Sequence, residues 1–298
     1  MRRTRLHMLL PLLFFACHNS NQRAVEFSFR YQPGETYTYR IYDRVEIQSA
    51  SSYEEPKQFE QYHVQKSQII VLDQDSSGIY DLKITFSVEA DSLWRIENNR
   101  RVLKPRPEIL GRKSEYRLRM RSDGEIVDIK GKSEQATFFY ERAYKTSQPV
   151  FPRGKIAPGY SWKQTVSINM PRNKSFTATT HYTFTGFAQL DETECAVIEF
   201  VSDLVIETDL SDTPWNRKGH RRWDYHNVTK TTGKIYFDYQ NGRMVRKQTT
   251  FHVDRRSRII DREGNKKEEH REMVDYETIK LVCVHQDSVT LSAANPQQ

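Results

Sequence analysis

Apolar and polar residues alternate along most of this chain, and alternation with a period of two is typical of β-strands that bury one face. In the segment 36–48, a break at Tyr42 and Asp43 interrupts an otherwise regular set of apolar positions, which are Tyr37, Tyr39, Ile41, Val45 and Ile47. Comparable segments cover 65–90, 115–131, 175–208, 234–253 and 268–285. The pattern predicts a mainly β protein built from antiparallel sheets.

Turn-forming residues divide these segments into hairpins. The sequences Ser-Asp-Gly at 122–124 and Asn-Gly at 241–242 supply the positive φ that tight hairpin turns need. Further turns are predicted within 73–78 and near Asp191, each between two strand-like segments.

One segment departs from this alternation and predicts a helix over about 132–146. It contains good helix formers, and Ser133 stands where a helix N-cap is expected. Its apolar residues recur at helical spacing and are expected to pack on a sheet; they are Ala136, Phe139, Tyr140, Ala143 and Tyr144.

The two halves of the chain resemble each other in the order of their motifs. A Pro-Gly-x-x-aromatic strand start occurs at 33–37 and again at 158–162, and the hairpin glycines Gly124 and Gly242 follow at similar distances. This repetition predicts two similar β-units, at 27–131 and 158–290, forming a half-barrel or a sandwich. The helix and a Pro-rich stretch connect them at 132–157, and a polar tail follows at 291–298. The alternative is a simple β-meander, which also gives glycine turns at regular intervals.

The N-terminus has the organisation of a secretory signal peptide. Arg2, Arg3 and Arg5 precede an apolar run over 6–15, and the small residue Ala16 stands directly before Cys17. The run is too short to cross about 30 Å of hydrocarbon as a helix. We therefore predict a signal peptide at 1–16. An ordinary cleaved signal peptide without lipid and an uncleaved anchor are the alternatives.

The sequence around Cys17 resembles the bacterial lipoprotein box, although Phe14 and Phe15 replace its usual Leu and small residue. The resemblance implies that the Cys17 thiol receives a diacylglyceryl group, that palmitate or a similar acyl chain is added, and that 17–26 is a polar tether. His18 stands where Asp would retain a lipoprotein at the inner membrane. The implied location is the cell envelope, in the outer membrane facing the periplasm or the cell surface if the host is Gram-negative.

The rest of the chain also resembles uncharacterised bacterial lipoproteins that carry a β-rich domain of unknown function. The resemblance is carried by the Pro-Gly strand start, "SDGEIVDIKG", the helix and "FPRGKIAPGYSW". The architecture is similar to lipoprotein-carrier folds, in which a curved antiparallel sheet closed by helices covers an apolar cavity. No catalytic residue follows from either resemblance.

Composition narrows the candidate chemistry. The net charge of +7 falls to about +4 once the three signal-peptide arginines are removed, and aromatic residues make up 12% of the chain, which suits twisted β-structure. Cys195 and Cys283 lie in apolar strand-like segments, where they form either a disulfide or two buried thiols. No catalytic motif and no metal-ligand spacing occur, so we expect no enzyme activity, cofactor or metal site.

One basic and aromatic cluster is a candidate ligand contact. It consists of Trp215, Arg217, Lys218, Arg221, Arg222 and Trp223. Such a cluster suits an anionic lipid, a glycan or another envelope protein, whereas an exported location excludes nucleic acid. The alternative is a charged loop that serves solubility.

These observations predict an exported, lipid-anchored envelope protein with a non-catalytic β-rich binding or scaffolding domain. The alternative function is a lipid or lipoprotein carrier. A carrier requires a continuous apolar interior of roughly 300 Å³ or more, whereas a filled aromatic core favours the binding domain.

Overall fold

The protein is mainly β, with one large antiparallel sheet and one helix. The structure, a computed structural model, describes residues 23–98, 100–170, 174–213, 216 and 218–286. Its elements are β1 (Val25–Glu26), β2 (Glu35–Ser51), β3 (Glu54–Gln74), β4 (Tyr80–Glu97), β5 (Arg100–Lys104), a 3-10 turn (Pro107–Ile109), β6 (Lys113–Met120), β7 (Ile126–Lys130), α1 (Glu134–Ser147), β8 (Lys155–Ile156), β9 (Ser161–Met170), β10 (Lys174–Leu190), β11 (Thr193–Asp209), β12 (Arg222–Asp238), β13 (Arg243–Ile260) and β14 (Lys266–Gln286).

The strand order within the sheet is β7-β6-β4-β3-β2-β14-β13-β12-β11-β10-β9, with β5 paired to β4. The strands before α1 and those after it form two meanders, and β14 joins them by pairing with β2 from Ser51 to Glu35. The predicted division into separate units at 27–131 and 158–290 is therefore not present in the described residues. The unsatisfied edges of two open meanders are paired with each other instead, which leaves one continuous sheet of twelve strands.

The predicted turns lie where expected, because their residues tolerate the backbone that the turns require. Gly124 closes the β6–β7 hairpin with φ +94°, and Gly242 closes the β12–β13 hairpin with φ +66°. Asp191, between β10 and β11, adopts φ +50°, a conformation that Asp tolerates better than most residues. The segment 252–272 is mostly strand, since pairing of β13 with β14 continues to Ile260↔Lys266.

The predicted helix is α1, and it contacts both edges of the sheet. The Ser133 side chain accepts a hydrogen bond from the Ala136 N–H at 3.1 Å, which confirms the predicted N-cap. The helix packs against β7 at one edge and against β9 and β10 at the other. The sheet is therefore curled, and α1 bridges its two edges. Tyr140 stacks on Tyr116 of β6 with 4.0 Å between ring centroids, whereas the side chain of Phe139 lies outside the described residues.

Aromatic side chains fill one end of the curled sheet. The segment before β2 and the connector after α1 enter this end, and their main chains bond to the β6–β7 turn through Phe29 N–H to Ser122 O at 2.6 Å and Phe151 N–H to Asp123 O at 2.8 Å. We call this group the aromatic plug; its members are Phe27, Phe29, Tyr31, Phe151 and Phe237, all at most 6% exposed. Strands from both halves of the chain surround the plug, so both halves share one hydrophobic core.

Gly124 and Gly264 provide a matched pair for testing how tightly the plug is held. Both have similar positive φ values, +94° and +88°, but a Cβ at Gly124 would lie 2.2 Å from the Pro149 carbonyl oxygen, whereas a Cβ at Gly264 meets nothing within 4 Å. Gly264→Ala should cost about 1–2 kcal/mol through backbone strain alone. Gly124→Ala should cost a further 1–3 kcal/mol, roughly, because the connector must move. Urea unfolding of the mature chain in detergent measures both values, and equal losses would contradict the close packing at Gly124.

Candidate functional site

The inner face of the curled sheet contains a cavity beneath α1, with a volume of about 250 Å³. Its walls come from β2, β3, β4, β12, β13 and β14, from the aromatic plug and from the last turn of α1. Aromatic rings and charged groups line it together, namely Tyr39, Phe86 and Tyr144 with Asp43, Lys247 and Glu277. A space of this size holds roughly eight water molecules or a small organic molecule.

Asp43 is the central acidic group of the cavity. It follows Tyr39 and Ile41 on the inner face of β2, because alternate residues of a strand share one face. In the sheet register it lies opposite His63 of β3 on one side and Glu277 of β14 on the other. Directly paired residues have Cβ atoms about 5 Å apart. Burial raises the pKa of the Asp43 carboxyl to about 8, and the Glu277 and Asp275 carboxylates add to this shift.

Asp275 adds a further carboxyl group beside Asp43 and Glu277. The residue is half-buried, and its Oδ1 atom is buried. Asp275 lies two residues before Glu277 on β14, on the same face of the strand, and opposite Val45 of β2. Burial, followed by the neighbouring Glu277 carboxylate, raises the pKa of Asp275 to about 6. Asp43, Asp275 and Glu277 therefore form an acidic cluster on the inner face, and we use this name for the three residues.

Lys247 of β13 is the cation that faces the acidic cluster. It is 4% exposed, and its Nζ donates one long hydrogen bond of 3.4 Å to the Ser147 carbonyl at the end of α1. Burial lowers the pKa of Lys247, while attraction to the Glu277 carboxylate acts in the opposite direction. The walls of the cavity therefore hold one ammonium group, that of Lys247, and two carboxyl groups, those of Asp43 and Glu277.

A hydrogen-bonded network holds His63 beside Asp43. The Oδ1 atom of Asp91, whose side chain is fully buried, accepts a hydrogen bond from Gln61 Nε2 at 2.8 Å and lies 2.9 Å from His63 Nδ1. Arg106 Nε lies 3.5 Å from the other carboxylate oxygen, which is an ion-pair contact rather than a hydrogen bond. Asp91 thus has its own partners, Gln61, His63 and Arg106, and does not depend on Lys247.

Two buried polar atoms near the acidic cluster have no hydrogen-bond partner. One is the hydroxyl of Thr249, which is 3% exposed and lies opposite Glu277 in the register of β13 and β14. The other is Oδ1 of Asp275. Buried polar atoms without partners are rare, so each of these two can take a further hydrogen bond from water or from a ligand. Among the described residues, no three His, Cys, Asp or Glu side chains are placed to hold a metal ion.

The candidate ligand-contact residues at 215–223 lie only partly within the described residues, so this contact stays a prediction. Trp215 and Arg217 lie outside the described residues. Arg222 and Trp223 begin β12, where neighbouring residues point to opposite faces. Trp223 packs on the inner hydrophobic residues, whereas Arg222 is exposed and pairs with Asp224 at 2.9 Å. Lys218 and Arg221 lie in the preceding turn, in positions that leave them at least partly exposed.

Arg222 lines a shallow groove on the outer face of the sheet, with a volume of about 760 Å³. The groove carries both signs of charge, and its ion pairs include Arg222–Asp224 and Arg258–Glu268. Paired surface charges of this kind contribute little to binding an anion.

Of the two alternatives for Cys195 and Cys283, the disulfide is not formed, because both thiols are free in the structure. Cys195 lies on β11 and Cys283 on β14, with β12 and β13 between them. Three strand spacings of about 4.8 Å separate the two backbones, whereas a disulfide requires Cα atoms within about 7 Å. The buried-thiol alternative is the one observed for Cys195, and its burial raises its pKa to about 11.

The predicted lipid attachment at Cys17, the signal peptide at 1–16 and most of the tether lie outside the described residues. Within the described part of the chain, no helix is long and apolar enough to cross a bilayer. Lipidation therefore stays a prediction from the sequence.

Comparisons with known proteins find structural likeness only. No protein-family model matches the chain, and neither does any curated protein. A solved structure showing lipid–protein interactions in lipovitellin is similar over 90% of this chain, with 12% identity and a TM-score of 0.43, and this chain spans 27% of it. Pseudomonas aeruginosa OpdQ is similar over 81% of this chain and 98% of its own, with 6% identity and a TM-score of 0.22. Function has to be inferred from the cavity itself.

Proposed function

We propose that this chain is a lipid-anchored protein of the bacterial cell envelope whose β-domain binds a small ligand, without catalysis, in the cavity beneath α1. The observation that carries the proposal is the presence of Asp43, Lys247 and Glu277 around an internal cavity. Charged groups inside a protein destabilise it unless they are paired or serve a function. In this cavity three ionisable side chains stand among aromatic walls, where apolar side chains would be more stable, and this favours a functional role.

The filled aromatic plug supports a binding domain over a lipid carrier. An acyl-chain carrier needs a continuous apolar space of roughly 300 Å³ or more. The cavity measures about 250 Å³ and has ionisable groups in its walls. The anchor through Cys17 belongs to the same proposal and rests on the N-terminal sequence.

Ser67→Leu tests whether the cavity is the binding site. Ser67 is 5% exposed and lines the cavity between Tyr39 and Phe86, so a leucine side chain would occupy part of the space. Native mass spectrometry of the lipidated protein from its own envelope should show a bound small molecule in the wild type and its loss in Ser67→Leu. Gln68→Leu is the matched control, because the neighbouring residue of a strand points to the opposite face.

The proposal would be wrong if the wild type carried no small molecule, or if Ser67→Leu retained it while the far-UV circular dichroism stayed unchanged. Loss in both variants would indicate a general effect of the substitutions rather than occupation of the cavity.

A further inference from the structure

We propose that the ligand is a small organic cation, such as a primary amine, held by the acidic cluster and surrounded by aromatic rings. This inference rests on the proposed function, in which the cavity beneath α1 binds a small ligand. Three features of the inner face support this ligand class: the excess of carboxyl groups, the unpartnered acceptor atoms and the aromatic walls.

The charge balance of the cavity favours a cation. Lys247 interacts with Glu277, which leaves Asp43 and Asp275 without a positive partner of their own. His63 lies opposite Asp43 in the register but is engaged with Asp91. A bound ammonium group would pair with the Asp43 carboxyl once that group has released its proton.

The unpartnered atoms favour a hydrogen-bond donor. Asp275 Oδ1 accepts hydrogen bonds, and the Thr249 hydroxyl accepts as well as donates. Thr249 is 3% exposed and shares the rung of Glu277 and Asp43 across β13, β14 and β2. An ammonium group carries three donors and no acceptor, so it can satisfy these acceptors and a carboxylate together.

The aromatic walls suit a cation with a short hydrocarbon chain. Tyr39, Phe86 and Tyr144 line the same cavity as Asp43. A cation within about 6 Å of an aromatic ring is attracted to the ring face, and the hydrocarbon part is removed from water. The volume of about 250 Å³ limits the ligand to a small molecule.

Binding should be coupled to proton release. The groups that face Asp43 are His63 of β3, Glu277 and Asp275 of β14, Lys247 of β13 and Tyr144 of α1. Since the pKa of Asp43 is raised to about 8, this carboxyl keeps its proton at neutral pH in the empty cavity. An ammonium ligand favours the ionised carboxylate, so affinity should increase with pH, by up to about tenfold per unit below pH 8.

The test is calorimetric titration of the full lipidated chain in detergent with n-butylammonium, butyrate and 1-butanol, which share a similar chain and differ in charge. Butylammonium alone is expected to bind, more tightly at pH 8.5 than at pH 6.5 and with release of protons. Asp43→Asn should weaken binding by about tenfold to a hundredfold and remove most of the pH dependence. Glu46→Gln is the matched control, because Glu46 lies on the opposite face of β2 and pairs with Arg44.

The pH dependence of the free energy of unfolding tests whether Asp43→Asn removes the titration of the Asp43 carboxyl. Circular dichroism tests whether the variant still folds. In the folded wild type Asp43 retains a proton that the unfolded chain releases above about pH 4. The free energy of unfolding should therefore fall as pH rises from about 4 to about 8. The Asn variant lacks this contribution and should show a flatter profile with an unchanged circular dichroism spectrum.

Three results separate the outcomes. Binding of butyrate or butanol as tight as that of butylammonium, abolished by Ser67→Leu, would overturn the cation assignment and leave the cavity as a binding site. Butylammonium binding that Asp43→Asn does not change would place the ligand elsewhere and overturn the inference. An absence of butylammonium binding at millimolar concentration would also overturn it. The native mass spectrometry of the wild type and Ser67→Leu decides separately whether the cavity is a binding site.

Discussion

Replacing Phe237 by Ala is expected to lower the free energy of unfolding by about 3–5 kcal/mol. Phe237 is 0% exposed on β12. Its ring contacts Phe29 and Phe151 with centroid distances of 5.2 and 4.9 Å, and Phe27 at 5.9 Å. Removal of the ring loses the buried apolar area and leaves a hole that the surrounding strands cannot close, because those strands are paired on both sides.

Urea unfolding of the mature chain measures the effect, and Tyr276→Ala is the control. Tyr276 is 44% exposed on β14, where its ring lies 6.0 Å from the Arg44 guanidinium carbon. Removing this exposed ring should cost at most about 1 kcal/mol. If both substitutions had the same small effect, the aromatic plug would not be part of the cooperative core.

Replacing Cys17 by Ser is expected to abolish lipid attachment completely. The substitution removes the acceptor thiol but keeps the charged start and the apolar run at 6–15, so export should persist. Stable membrane anchoring requires two or more acyl chains, at roughly 0.8 kcal/mol per buried CH₂. The unprocessed variant keeps its apolar run and can remain at the inner membrane. Membrane fractionation therefore does not distinguish a lipid-anchored protein from an unprocessed one.

Incorporation of labelled palmitate, together with the intact mass, gives the decisive measurement. The wild type should take up label and begin at a lipid-bearing Cys17, whereas Cys17→Ser should do neither. The prediction is wrong if the wild type takes up no label or if its mature chain begins at another residue. Cys283→Ser is a suitable control, because Cys283 lies on β14, far along the sequence from the processing site.

The local elements follow from the sequence because their causes are local. Alternation within 36–48 belongs to β2, the glycines of the 122–124 and 241–242 turns adopt positive φ, and Ser133 caps α1. Each of these depends on residues within a few positions of one another. The pairing of β14 with β2 does not, since Gln286 and Glu35 are at opposite ends of the chain. The two predicted units merge into one sheet through this long-range contact.

The candidate site also depends on strand pairing that the sequence pattern does not reveal. The break at Tyr42 and Asp43 was visible in the sequence, and Asp43 continues the phase of Tyr39 and Ile41. A charge in the phase of buried residues is a signal for an inner polar site, although alternation alone does not identify its neighbours. Glu277 and Lys247 lie beside Asp43 only because β14 and β13 follow β2 in the sheet.

Two of the candidate contact residues at 215–223 show how a strand separates side chains that are neighbours in the sequence. Arg222 and Trp223 are adjacent in sequence, but they occupy a strand and therefore face opposite sides.

By itself, the sequence determined which residues form strands, turns and the helix, because hydrophobic period, glycine geometry and capping are properties of short segments. It also predicts a signal peptide at 1–16 and lipid attachment at Cys17, both of which lie outside the described residues. Only the tertiary structure decided that twelve strands share one sheet, that Cys195 and Cys283 are too far apart to pair, and that Asp43 and Glu277 line one cavity. These features depend on which distant strands pair and on which face lies inside the curl, and no short segment contains that information.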